Sequence, residues 1–188
     1  MEFYPQVEKF VTEAFLKSPH SGDLRHFERT VYWVKRLKPD ADEALCIAAF
    51  AHDTERAFRD TATHPAAEKS PKGFLDEAFM RHHQEKGAEI ILKFLKEQGA
   101  PAELSERVSS LIARHEVGGD ADQNLLRDAD SLSYFENQIE HFISHKVSEV
   151  GKEKVKDKFQ WMFDRIGYEE AKTLARPMYE QAIKRLEA

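Results

Sequence analysis

One cysteine, Cys46, is all the thiol chemistry this chain has. It sits inside an apolar run and has no partner for an internal disulfide. A structural zinc site usually needs several thiolates, so that use is excluded as well. A reducing, cytoplasmic setting is the expectation. An excess of positive charge is also missing. The net charge is −6, without the basic balance of a nucleic-acid-binding domain. The opening MEFYPQVEKF carries neither a basic stretch nor a long apolar one, so neither a signal peptide nor a membrane span is expected. No β-hairpin signal, alternating strand, internal repeat or low-complexity tract stands out.

What remains is helical. The 188 residues are 41% hydrophobic and 33% charged, the balance of a globular chain with a sizeable core. Phe3, Val7, Phe10, Val11 and Ala14 recur at helix spacing. A second helix is expected from Leu24 to Leu37, and a third from Ala41 to His52 with Asp40 as its N-cap. The stretch RDTATHPAAEKSPKG reads as a surface loop in which His64, Lys69 and Lys72 are solvated. Phe74 to Gly99 reads as helix with a break inside it, ending on a glycine. Pro101 opens the next helix, which is expected to reach Glu116. ADQNLLRDADSLSYFEN is helical again, and two or three helices follow, with a kink at Pro177. The expected architecture is a single all-α domain spanning residues 1–188. Its core lies at about 20–135, and helices from about 136 to 188 complete the bundle.

Residues three, four and seven apart share a helix face. His52 lines up with Leu45, Ala48 and Ala49. His115 lines up with Leu104, Val108, Leu111 and Ile112, and His83 with Gly87, Ile90 and Ile91. His26 lines up with Thr30, Trp33 and Leu37, whereas His82 points outward. One inward histidine is most often a satisfied core residue. Four of them, with Asp53 and the acids Asp128 and Asp130, can cluster, and imidazole with carboxylate suits Mn, Fe, Co, Ni or Zn. With no thiolate in the set, such a site would be catalytic rather than structural. His141 and His145 read as helix surface, the lysines of KVSEVGKEKVKDKF as a solvated face, and Trp33, Tyr134 and Phe135 as core.

The order of these residues resembles the HD superfamily of metal-dependent phosphohydrolases. The resemblance runs through DLRHFERTV (His26), AHDTER (His52, Asp53), HQEKGAEII (His83), ARHE (His115) and DADSL (Asp130), and covers roughly residues 20 to 135. The two additional histidines resemble the binuclear branch, which includes the HD-GYP proteins. Arg114 stands where that branch has the first His of HHE, and no glycine-tyrosine-proline segment follows. The resemblance implies that His26, His52, Asp53 and Asp130 bind one divalent metal, with Asp53 bridging to a second held by His83 and His115. Asp130 is preferred to Asp128 because the family's ligand is followed by a small or basic residue and then Leu, as in DSL; Asp128 is the alternative. Arg56 stands at the lysine of the family's HDxxK pattern, and a cation there holds a phosphate oxygen.

The function this implies is hydrolysis of a phosphomonoester or phosphodiester of a small molecule, with a nucleotide the favoured substrate. One or two ions of Mn, Fe, Co, Ni, Zn or Mg would activate a hydroxide beside Asp53. Arg56 and Arg29 are the expected phosphate clamps. If one ion binds, His83 and His115 instead contact the phosphate or transfer protons. The alternatives are a di-iron oxygenase of the same fold and a metal- or nucleotide-binding regulatory module without turnover.

Overall fold

A computed structural model describes residues 1–19, 23–59, 70 and 72–188, and among them every regular element is helical. In chain order these are α1 (Tyr4–Leu16), α2 (Leu24–Leu37), α3 (Glu43–Ala51), a 3-10 turn (Thr54–Phe58), a second 3-10 turn (Gly73–Leu75), α4 (Glu77–Glu97), α5 (Ala102–Ile112), α6 (Ala121–Asn137), α7 (Ile139–His141), a π turn (Phe142–Lys146), α8 (Val147–Val150), α9 (Lys152–Asp164) and α10 (Glu169–Glu187). The expected all-α class is the one adopted. No helix among the described residues is long and apolar enough to cross a membrane.

Short polar side chains set where the helices begin. Asp42, not Asp40, caps α3 by accepting from Leu45 N at 3.0 Å. Asp76 caps α4 by accepting from Phe79 N at 3.0 Å. The break expected after Phe74 therefore falls at Asp76, and the helix beyond it is continuous to Glu97. Gly99, with φ of 76°, follows the end of α4 as the left-handed residue that closes it. Asp120 and Gln123 form a reciprocal capping box at the start of α6. Helix α5 ends at Ile112, earlier than Glu116, so His115 lies in the turn beyond it. Pro177 sits inside α10, which continues through it. Most of the loop expected over residues 59–73, including His64 and Lys69, lies outside the described residues. Lys72 pairs with Glu77 at 3.4 Å.

Helix α3 is apolar on every side, and all of it from Ala44 to Ala51 is buried, as a helix at the centre of a bundle must be. Helices α1, α2, α5 and α6 pack around it. Glu43 ties α1 to it by accepting from Phe3 N at 2.6 Å and Tyr4 N at 2.9 Å. A Cβ at Gly87 would meet the His52 carbonyl oxygen at 3.3 Å, so glycine lets α4 lie close against the end of α3. A first apolar cluster built on α1 to α5 includes Leu125, Leu126 and Ala129 of α6. A second, built on α9 and α10, includes Leu132, Tyr134 and Phe135 of the same helix. Helix α6 thus runs through both, with a polar seam at Asp128, Asp130, Ser131 and Ser133 between them.

Asp128 holds the two halves together. Fully buried, it accepts from Arg127 at 2.9 and 2.8 Å. It also accepts from the backbone amides of Gly167 at 2.9 Å and Tyr168 at 2.7 Å, at the start of α10. Asp128→Ala strands both amides and a mostly buried guanidinium, and is expected to cost about 3 kcal/mol. Urea unfolding measures it, and a loss under about 1 kcal/mol contradicts this role.

Candidate metal centre

Five elements deliver six side chains to one buried point. Helix α2 supplies His26, the end of α3 supplies His52 and Asp53, and α4 supplies His83. The turn after α5 supplies His115, and α6 supplies Asp130. All six are buried. The helix tightens at Asp53, whose φ of −95° and ψ of 13° lie between the helical and extended regions. That change of direction lets adjacent His52 and Asp53 face the same space. His26, His52 and Asp53 form one group that could hold a metal ion, and Asp53, His83 and His115 form another. Asp53 belongs to both. Asp130 Oδ1 lies 3.1 Å from His26 Nε2 and 3.5 Å from His52 Nε2.

The outer nitrogen of every one of these imidazoles is already committed. His52 Nδ1 lies 3.0 Å from the carbonyl oxygen of Ala49, and His115 Nδ1 lies 2.8 Å from that of Ile112. A carbonyl only accepts, so both Nδ1 atoms carry hydrogen. Ser133 Oγ donates to the His26 carbonyl at 2.7 Å, so it accepts from His26 Nδ1 at 2.7 Å. His83 Nδ1 donates to Glu55 at 2.8 Å. All four rings therefore turn Nε2 inward, the arrangement that second-shell partners impose on metal-binding histidines. His115 Nε2 is buried with no hydrogen-bond partner. His26 and His52 bring their Nε2 atoms within 3.2 Å of each other. With each Nδ1 holding its hydrogen, two lone pairs face one another there. A proton or a metal ion between them supplies the positive charge they require, and the donor set fits a divalent ion.

The electrostatics follow the same pattern. Burial works against charge at His83, but its hydrogen bonds to the carboxylates of Asp53 at 2.8 Å and Glu55 outweigh it and raise its pKa to about 9. At His52 burial is likewise overcome, by the Asp53 and Asp130 carboxylates, and its pKa is raised. His115 is desolvated with less compensation, which pushes it down to about 4. Burial alone would raise the Asp53 pKa, but the surrounding imidazoles and Arg56 hold it well below the ordinary carboxylate range.

Of the two aspartates that periodicity left open, Asp130 reaches the centre. Asp128 is spent on the α10 turn. Arg56 is also brought in, 3.1 Å from Asp53 and 3.1 Å from Asp23. Arg29 is not. Its partners are Glu136 at 2.8 Å and the face of Tyr32 at 3.7 Å, and none belongs to the cluster. His82 is exposed, as its helix face implied. Sequence reasoning missed Glu55, Ser133, Glu116, Lys158 and Arg165. Arg165, at the end of α9, pairs with both Asp130 and Glu116 and donates to Ser131 at 2.8 Å. It acts on Asp130 from 35 positions away, where no local spacing signals it. Glu55 had a cue in its nearness to His52 and Asp53, but its partner His83 lies in another helix.

Fold and site together define an all-α bundle with buried histidine–aspartate groups that could hold a metal ion. The chain belongs to the family described as a domain of unknown function (DUF4202), which matches residues 9–186. No curated protein and no solved structure matches it.

Two of the perturbed histidines, His83 and His115, set opposite pH limbs. His83, raised from 6.5 to about 9, contributes stability that is full below pH 6.5 and is lost as pH rises through about 9. His115, lowered to about 4, contributes stability that is lost as pH falls from 6.5 toward 4. Chelator-treated protein is expected to lose stability between about pH 6.5 and 9. His83→Gln is expected to flatten that limb in denaturant melts. An unchanged slope in the variant contradicts the assignment.

Proposed function

We propose that the protein is a metal-dependent phosphohydrolase of the HD type, acting on a phosphomonoester or phosphodiester of a small molecule, with a nucleotide the favoured substrate. The observation that carries this reading is the inward convergence of four Nε2 atoms on a shared buried carboxylate, each ring fixed from behind by its Nδ1–H. His26, His52, Asp53 and Asp130 would hold one divalent ion, and Asp53, His83 and His115 a second. Mn, Fe, Co, Ni, Zn and Mg are the candidate ions. A divalent ion held there would supply Lewis acidity and lower the pKa of a bound water, favouring a hydroxide nucleophile.

The chain's own residues supply position and charge. Asp53 has two carboxylate oxygens, so one side chain serves both halves of the site. Glu55 fixes the His83 ring and keeps its inner nitrogen aimed at Asp53. Arg56 donates one N–H to Asp53 and forms an ion pair with Asp23, and it retains other donors for a phosphate oxygen. Arg165 fixes the orientation of Asp130 from the far side. In the proposed hydrolysis a water oxygen bonds to phosphorus, the ester P–O bond breaks, and the leaving oxygen takes up the proton.

Metal analysis and generic phosphoester hydrolysis in Mn, Mg, Co and Ni test the reading together. Asp53→Ala is expected to lose bound metal and all measurable turnover. Glu55→Gln is expected to fold and to bind metal about 10–100-fold more weakly, because it orients a ligand without being one. Metal content unchanged by Asp53→Ala sinks the ligand assignment.

A further inference from the structure

Most polar groups around the centre are paired, but two facing the second apolar cluster are not. Tyr134 follows Asp130 by one helical turn and shares its face of α6. Its hydroxyl is buried with no hydrogen-bond partner. A buried hydroxyl left unpaired costs stability, and phenylalanine in the same place would avoid that cost. Lys158, on α9, is only 9% exposed. Its Nζ makes no hydrogen bond among the described residues. Its one ion-pair neighbour there is Glu116 Oε1 at 4.0 Å, and Arg165 already occupies that carboxylate's other oxygen. A lysine this covered normally keeps its ammonium on a close acceptor or on water. Nζ also lies over the face of Trp161, 4.5 Å from its centre.

Charge balance indicates what would satisfy them. Asp23, Asp53, Glu55, Glu116 and Asp130 surround the centre against Arg56, Arg59, Lys158 and Arg165, one net negative charge. One divalent ion makes the total positive, and a second makes it more so. A loaded centre therefore attracts an anion. Lys158 approaches Glu116, which Arg165 joins to Asp130, and the Tyr134 ring lies 6.1 Å from that of Phe159, the residue after Lys158.

We propose that Tyr134 Oη and Lys158 Nζ are the donors that receive an oxyanion, the phosphoryl group of the substrate, beside the metal centre. The identity of that anion rests on the phosphohydrolase reading; the two unpaired donors do not. Arg56 lies in the 3-10 turn after α3 and Lys158 on α9, so phosphate would be gripped from both halves of the bundle. The last third of the chain then contributes to substrate choice.

Titration of inorganic phosphate into Mn-loaded protein tests this. Tyr134→Phe and Lys158→Met are each expected to weaken phosphate binding about 10-fold or more, the loss of one hydrogen bond to a charged group. Both are expected to keep the wild-type metal content. Tyr134→Phe is also expected to unfold at the same denaturant concentration as wild type or higher, since no native hydrogen bond is removed. Unchanged phosphate affinity in both variants, or no phosphate binding by the loaded wild type, overturns the proposal. Loss of metal in either variant overturns that residue's role as a direct donor. Phosphate binding that depends on both residues, in a protein that hydrolyses no phosphoester, upholds the donor site and sinks the hydrolase reading instead. Phosphoester hydrolysis with unchanged KM in both variants does the reverse.

Discussion

Four imidazoles are pinned from behind, and the rest of the site depends on that constraint. Each Nδ1–H is held by an acceptor outside the centre: two carbonyls, a serine hydroxyl and a glutamate. The four inner nitrogens then have no choice of direction. They converge on Asp53 and Asp130, in a volume from which water is largely excluded, and they bring lone pairs closer than two neutral rings tolerate. A cation resolves the conflict. Without one, the carboxylates favour protons on the rings: Asp53 and Glu55 raise His83, Asp53 and Asp130 raise His52, and His115, left without comparable partners, is pushed down. The same pinning explains why the supporting residues lie on so many elements. A carbonyl from α3, a carbonyl from α5, a glutamate from the 3-10 turn and a serine from α6 must all be in register for the centre to exist.

Helix α6 is the member that makes the register possible. Its apolar residues belong to the first core up to Ala129 and to the second from Leu132. Between them the helix buries two acids that point different ways. Asp128 ties the start of α10 to the bundle, and Asp130 reaches His26 and His52 with Arg165 at its back. Two carboxylates two residues apart thus do unlike work, one in stability and one in the site. Binding energy for a ligand and folding energy for the chain meet in one short segment.

The helical class and the inward histidines were legible because periodicity records which face is buried. His26, His52, His83 and His115 each continued an apolar face, and all four are buried. The choice between Asp128 and Asp130 was not legible from periodicity, since both flank buried Ala129 and only the turn before α10 separates their roles. Arg29 and Arg56 were equivalent as cations near helix ends. Tertiary packing sent Arg29 to Glu136 and Tyr32, and Arg56 to Asp53. Arg165, Glu116 and Lys158 were invisible for a simpler reason. They meet the centre only after α9 folds back on it, and no local spacing encodes that return. Helix ends shifted by one to four residues where a cap such as Asp42 outcompeted a neighbour, or where, as at Ile112, the chain turned sooner.

Anomalous diffraction from crystals grown with Mn or Co, collected at the metal edge, tests the central claim most directly. The expected result is an ion coordinated by Asp53 together with Nε2 atoms of His26 and His52, of His83 and His115, or of both pairs, with every Nδ1 keeping its outer partner. Crystals whose anomalous peaks all lie away from these six side chains, or rings found turned with Nδ1 inward, would contradict it.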